Sequence, residues 1–216
     1  LIIAILISAH LEWTLIYRGI GVLFLAIAVF MQFMPLAALG KDRGHIAGGS
    51  RRDLFRHPAY WLGFFALFVY VGVELGISNW VAEYFVRVFG APIATGSFMV
   101  SLFWAGLLVG RFGVPFLQAT IKREKIFIVL SVLMALSVIA LASIGFMNNG
   151  KIASVIAGVL VIFAGFGCSI IYPNIMSILG DLFPHTQSEA VGFAAMGGGM
   201  GGFVFPYLMS AVSAAW

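Results

Sequence analysis

Long apolar runs separated by short polar segments make up most of this sequence. A helix needs about 20 apolar residues to cross a bilayer. Six runs are long enough, at residues 14–38, 58–88, 93–117, 125–147, 152–179 and 188–214. The run at 1–9 is too short and has the pattern of the second half of a span. The sequence therefore predicts an all-α integral membrane protein, a bundle of six complete spans and one partial span.

Composition and the chain ends support this interpretation. Hydrophobic residues make up 62% of the chain and charged residues 9%, whereas a soluble domain has about 25% charged residues. The net charge of +4 is too small and too scattered to indicate a nucleic-acid partner. Both ends are apolar, and the first residues lack the basic leader of a signal peptide. We expect a fragment of a larger membrane protein, with the lipid bilayer as its surroundings.

Lysine and arginine are concentrated in two loops. Loop 39–57 holds Lys41, Arg43, Arg51, Arg52 and Arg56, and loop 110–125 holds Arg111, Lys122, Arg123 and Lys125. Cytoplasmic loops carry an excess of these residues. Both loops are therefore predicted to be cytoplasmic.

Glu74 is the most informative residue, because it lies inside the span 58–88. An acid there costs about 2.5–3.5 kcal/mol on insertion scales and normally faces a bundle interior or a water-filled cavity. Tyr70, Ser78 and Val81 should lie on the same helix face. The structural alternative is a Glu paired with a hydroxyl of a neighbouring helix.

Two further features of that span bear on which side chains lie near Glu74 and on the role of its second acid. Gly72 and Gly76 would allow a bend that brings other faces next to Glu74. Glu83 precedes Arg87 by four residues, and an ion pair along the helix explains it.

Three motifs on other spans are open to more than one interpretation. Pro173 in YPNIMS, residues 172–177, predicts a helix kink, which either packs or leaves Asn174 lining a cavity. Arg111 in GRFG, residues 110–113, either anchors the helix end or latches helices on the cytoplasmic side. The histidines form no metal-ligand pattern, and Cys168 is the only cysteine, so we expect no metal, cofactor or disulfide.

The stretch MGGGMGG, residues 196–202, lacks the strand and the Lys of a phosphate-binding loop. Its glycines are spaced four apart, which lets helices approach closely, and a proline that should bend the helix follows. Packing or gating is predicted for Gly197, Gly198, Gly201, Gly202 and Pro206.

Four stretches, in order, resemble the major facilitator superfamily, in particular the second half of fucose permease-like sugar:proton symporters. They are YVGVELGISNWVAEYF, SLFWAGLLVGRFG, GFGCSIIYPNIMSILGDLF and AMGGGMGGFVFPYLMSAVS. The resemblance implies a fragment of a twelve-helix fold, about helices five to eleven. Residues 1–38 would end the N-terminal bundle, 39–57 would be the cytoplasmic linker, and 58–216 the C-terminal bundle.

The resemblance also implies alternating access around a solute bound near the bilayer midplane. Arg111 would be a cytoplasmic latch, although the Asp and dense basic run of that family signature are missing here. The family's proton-coupling carboxylates lie mainly in the half that this sequence lacks. Side chains expected to line the solute path are Tyr70, Glu74, Trp80, Tyr84, Trp104, Tyr172 and Asn174.

The predicted function is proton-coupled uptake of a sugar or similar polyhydroxylated solute across a bacterial inner membrane. The predicted partners are that solute, protons, and the remaining N-terminal helices of the same transporter. One alternative is an exporter of a lipophilic or cationic compound, for which an acid among Phe and Met residues is suited. Another is a receptor or assembly subunit that does not transport. A membrane-embedded enzyme would need several converging polar groups, and the spans hold too few.

Overall fold

The computed structural model describes residues 51–118, 120–146 and 150–215, together with helical residues at 18, 21–22, 25–26 and 29. The chain divides into two compact units, residues 1–48 and 49–216, and this division falls inside the predicted linker 39–57. The predicted partial span 1–9, most of the span 14–38 and the first part of the linker lie outside the described residues.

The described part of the second unit is built from helices. Their bounds are α1 Arg51–Arg56, α2 Pro58–Phe89, α3 Ile93–Gln118, α4 Arg123–Ile144, α5 Gly150–Cys168, α6 Ile171–Leu182 and α7 Gln187–Ala215. Five helical segments in the described residues are long and apolar enough to cross a membrane, if α5 and α6 count as one. This confirms the predicted all-α, multi-span class.

Helix α2 shows how local sequence sets the ends of a span. His57 accepts a hydrogen bond from the Ala59 amide, and Pro58 occupies the first helical position, where its missing N–H is not needed. Gly90 ends the helix with a φ of 62°, a left-handed conformation that favours glycine. The helix is continuous for 32 residues, or about 48 Å at 1.5 Å per residue.

Gly72 and Gly76 do not interrupt α2, which runs unbroken through both positions. They make room for side chains of α7 instead. A Cβ atom at Gly72 would overlap the Phe205 ring, and one at Gly76 would lie 3.0 Å from the Met209 sulfur.

The fourth described span is broken in two at Ser169 and Ile170. Helix α5 ends at Cys168, and α6 begins at Ile171. Span 152–179 is thus confirmed as a membrane-length segment, but its interruption precedes Pro173, where a kink was predicted. Pro173 lies in the first turn of α6, where a proline costs no helical hydrogen bond.

The break separates two packing groups. Helix α5 packs mainly on α3 and α4, whereas α6 packs mainly on α2 and α7. Small residues bring α3 and α5 into backbone contact, because a Cβ at Gly165 would overlap the Phe103 carbonyl oxygen.

Helices α2 and α7 form the most extensive helix pair in the described residues. A Cβ at Gly197 would overlap the Phe64 carbonyl oxygen, and one at Gly201 would overlap that of Phe68. Gly198 and Gly202 face side chains of α2, and α7 continues through Pro206 without ending. These positions fit the predicted packing role of the glycine stretch.

Candidate functional site

A cavity of about 760 Å³ lies among α2, α3, α4 and the junction of α5 with α6. Most of its polar lining comes from the second half of α3 and from α6. The residues that line it are Val71, Glu74, Arg111, Pro115, Gln118, Arg123, Ser169, Ile170, Tyr172, Pro173, Asn174 and Ser177.

Glu74 lies near the midpoint of α2, and only 7% of its surface is exposed. Tyr70 lies one helical turn before it on α2, and Arg111 lines the same cavity. Tyr70, Ser78 and Val81, which the helical period placed on the same face, are also buried. Glu74 thus faces a polar cavity inside the bundle, the usual surroundings of an intramembrane acid.

Arg111 belongs to the body of α3 and not to the loop that follows it. It lies seven residues before the end of the helix, about 10 Å along the axis at 1.5 Å per residue. Its side chain is exposed to the cavity that Glu74 lines. The latch role stays a prediction, and the shared cavity with Glu74 is a feature that the sequence did not reveal.

Two polar side chains in the cavity wall are buried without a hydrogen-bond partner among the described residues. They are the Ser169 hydroxyl and the Asn174 amide nitrogen. Buried polar groups are nearly always hydrogen-bonded, and leaving one unpaired costs about 1–3 kcal/mol. Both residues line the cavity, but these two atoms are enclosed by protein, and the Ser169 hydroxyl lies against Gly110 of α3.

Arg123, the first residue of α4, connects α4 to α6 at the end of the cavity near the turn between α3 and α4. It donates one hydrogen bond to the Ser177 hydroxyl at 2.8 Å and another to an Asp181 carboxylate oxygen at 3.2 Å. Sequence reasoning assigned no site role to Arg123 or Ser177. The three-residue spacing of Asn174 and Ser177, which puts them on one helix face, was the available signal.

The other predicted lining residues are divided among several places. Tyr172 lines the main cavity beside Asn174. Tyr70 is buried and is not among the residues that line this cavity. Trp104 lies at the surface of the bundle, where 41% of the residue is exposed. Trp80 and Tyr84 line a second, mostly apolar cavity of about 370 Å³, together with the Glu83–Arg87 ion pair. Their roles in solute binding stay predictions.

The described residues contain no cluster of three or more His, Cys, Asp or Glu side chains that could hold a metal ion. The charged and polar side chains that line the cavity offer hydrogen bonds and charges to a solute.

The family model for the Major Facilitator Superfamily matches residues 1–206 of this chain. The chain belongs to the major facilitator superfamily. The chain therefore belongs to a superfamily of membrane transporters.

Named relatives of this major facilitator chain come from bacteria and yeast. It is 28% identical to a "Putative glucose/galactose transporter" of Helicobacter pylori, over 91% of this chain and 46% of that protein. It is 26% identical to a "Protein TsgA homolog" of Edwardsiella ictaluri, over 93% and 49%. It is 28% identical to "Bypass of stop codon protein 6" of Saccharomyces cerevisiae, over 74% and 33%.

The chain thus spans about half, or less, of the length of these relatives. No solved structure matches it.

Proposed function

We propose that this chain is part of a secondary transporter that takes up a sugar or similar polyhydroxylated solute together with protons, by alternating access. Membership of the superfamily supports transport. The name of the Helicobacter relatives supports a sugar as solute. The chain matches about half of those relatives, so the activity belongs to the complete transporter.

The observation that carries the proposal is Glu74 in the wall of a polar cavity. A carboxylate accepts hydrogen bonds from solute hydroxyls, the Gln118 amide in the same wall can donate to them, and the Tyr172 ring offers a face for a sugar ring. The volume of about 760 Å³ lies within the range of about 300–1,000 Å³ typical of small-molecule sites.

Glu74 is also our candidate for a proton carrier. It is the only carboxylate in the lining of this cavity within the described residues. Acids inside membrane segments commonly belong to proton relays. We propose that it gains and loses a proton as the transporter alternates.

Export of a lipophilic or cationic compound is the second candidate. The apolar cavity lined by Trp80 and Tyr84 suits a lipophilic compound. A cation is less suited to the main cavity, because Arg111 and Arg123 offset the charge of Glu74 there. The electrostatics therefore support a polyhydroxylated solute over a cation.

We further propose the bacterial inner membrane as the location, with the predicted loops 39–57 and 110–125 on the cytoplasmic side, the second now confined to the turn between α3 and α4. The bacterial relatives and the excess of Lys and Arg in these two stretches support this topology. Gln118 ends α3 and Arg123 begins α4, so that end of the main cavity would lie toward the cytoplasm.

The test is to record medium pH in cells that make the complete transporter, as each of a panel of sugars is added. The wild type should alkalinise the medium with at least one sugar, and Glu74→Gln should abolish this response. Glu83→Gln is the matched control, since it removes the same charge from the same helix outside the main cavity.

If no sugar moves protons, the symport proposal is wrong. Competition by lipophilic cations would then favour export. Solute flux in the wild type that Glu74→Gln leaves unchanged would remove Glu74 from the pathway, and the absence of any flux would favour a role other than transport.

A further inference from the structure

We infer that the solute carries a carboxylate as well as hydroxyls, and that the Arg111 guanidinium binds this carboxylate. The inference rests on the proposed function, because it specifies the class of solute for the same cavity. Its basis is the placement of Arg111 in the cavity wall, inside a membrane-spanning helix.

Arg111 needs a functional explanation because of its depth. An arginine at a helix end can extend its charged group to the interface and needs no partner. Arg111 lies two turns inside α3, where charged side chains are rare and normally pair or face water. It forms no ion pair with any described residue, since those pairs are Arg87 with Glu83 and Arg123 with Asp181.

Arg111 is also the free guanidinium in the described lining of this cavity. Arg123 lines it too, but Ser177 and Asp181 already occupy its two terminal nitrogens. A guanidinium binds a carboxylate through two parallel hydrogen bonds. Arg111 can therefore supply the anion-binding end of the site.

The charge balance favours a single carboxylate over a phosphate. Glu74 lines the same cavity as Arg111, and its negative charge already offsets part of the positive charge of Arg111. A phosphate ester carries about −1.5 to −2 charges, which would leave excess negative charge facing Glu74. A carboxylate adds one charge and matches the single free guanidinium.

The rest of the wall suits hydroxyl groups. Glu74, Gln118 and Tyr172 line the same cavity and can exchange hydrogen bonds with hydroxyls. A solute with a carboxylate at one end and several hydroxyls along its chain would pair with Arg111 and with these groups together. A sugar acid has this arrangement, whereas a neutral sugar would leave the Arg111 guanidinium without a bidentate partner.

The experiment compares D-galacturonate with D-galactose, two pyranose rings that differ in a carboxylate or a CH₂OH group at C6, by calorimetric titration of the purified complete transporter. We expect the wild type to bind galacturonate about 10- to 100-fold more tightly than galactose, the range for hydrogen bonds to a charged group. Arg111→Gln should remove this preference, and Arg111→Lys should reduce it, because lysine lacks the planar fork.

Arg87→Gln is the matched control, because Arg87 lies outside this cavity, and it should keep the preference for galacturonate. Galactose binding that equals or exceeds galacturonate binding in the wild type would overturn the inference and leave the proposed sugar transport intact. Binding of neither compound would overturn the inference, and the response to the sugar panel would then decide the proposed function separately. If Arg111→Gln fails to fold, the wild-type preference and the Arg111→Lys variant still decide the question.

Discussion

The Tyr70 hydroxyl donates a hydrogen bond of 2.7 Å to the Cys168 carbonyl oxygen, which lies 98 residues further along the chain. Cys168 is the last residue of α5, where carbonyl groups have no partner within the helix. The bond therefore connects the middle of α2 to the break between α5 and α6. Both residues are buried, so water does not replace this bond.

Replacing Tyr70 with Phe should destabilise the bundle by about 1 kcal/mol, the typical net contribution of one hydrogen bond. The Cys168 carbonyl would lose its donor at a helix end. Thermal unfolding of the complete transporter in detergent would measure the change. Tyr207→Phe is the control, because Tyr207 is largely exposed and its hydroxyl has no partner in the described part of the chain. Equal unfolding temperatures for both variants would contradict a stabilising role of the Tyr70 bond.

Gly201→Ala should weaken the contact between α2 and α7. The added methyl group would overlap the Phe68 carbonyl oxygen, and overpacking of this kind costs about 1–3 kcal/mol. Gly199→Ala on the same helix has nothing within 4 Å of the new atom, and it should be neutral or slightly stabilising. Thermal unfolding distinguishes the two variants. A Gly201→Ala protein as stable as Gly199→Ala would show that the helices are not packed this closely.

The Arg123–Asp181 ion pair should contribute little to stability. The two side chains are 36% and 69% exposed, and exposed pairs contribute about 0.2–1 kcal/mol. A double-mutant cycle with Arg123→Gln and Asp181→Asn measures the coupling free energy directly. It should fall further at high salt, because exposed charges are screened. A coupling that high salt does not reduce would mean that the pair is shielded from solvent.

Ser169→Ala should leave stability nearly unchanged, because the buried hydroxyl has no hydrogen-bond partner among the described residues. If that hydroxyl bonds to the solute, binding should weaken by about 2- to 10-fold, the effect of one neutral hydrogen bond. Ser143→Ala is the control, since Ser143 bonds to a carbonyl of its own helix and is exposed. Unchanged solute affinity in Ser169→Ala, measured by titration, would remove Ser169 from the binding site.

The helical spans could be predicted from the sequence because their apolar runs are long and their ends carry clear signals. The predicted span 58–88 corresponds to Pro58–Phe89, and 93–117 corresponds to Ile93–Gln118. The break at Ser169 could not be predicted, because an apolar segment continues through it. Pro173 drew attention to this segment, but a proline can start a helix as readily as it bends one.

The site could be predicted only in part. The helical period correctly grouped Tyr70, Glu74 and Ser78 on a buried face of α2. Arg111 and Glu74 line one cavity because of the way α3 is rotated about its axis relative to α2. This rotation cannot be predicted from a single sequence. Trp80 and Tyr84 lie on the same helix as Glu74, but further along and around it, and they line a different cavity.

The interruption at Ser169 and Ile170 separates α5, which packs mainly on α3 and α4, from α6, which packs mainly on α2 and α7. Rotation about a few backbone torsions at the interruption can tilt α6 without disturbing the tight contact between Gly165 and Phe103. Asn174 on α6 would then move relative to Arg111 on α3 and Glu74 on α2, so that a small tilt changes the shape of the cavity around the two opposite charges.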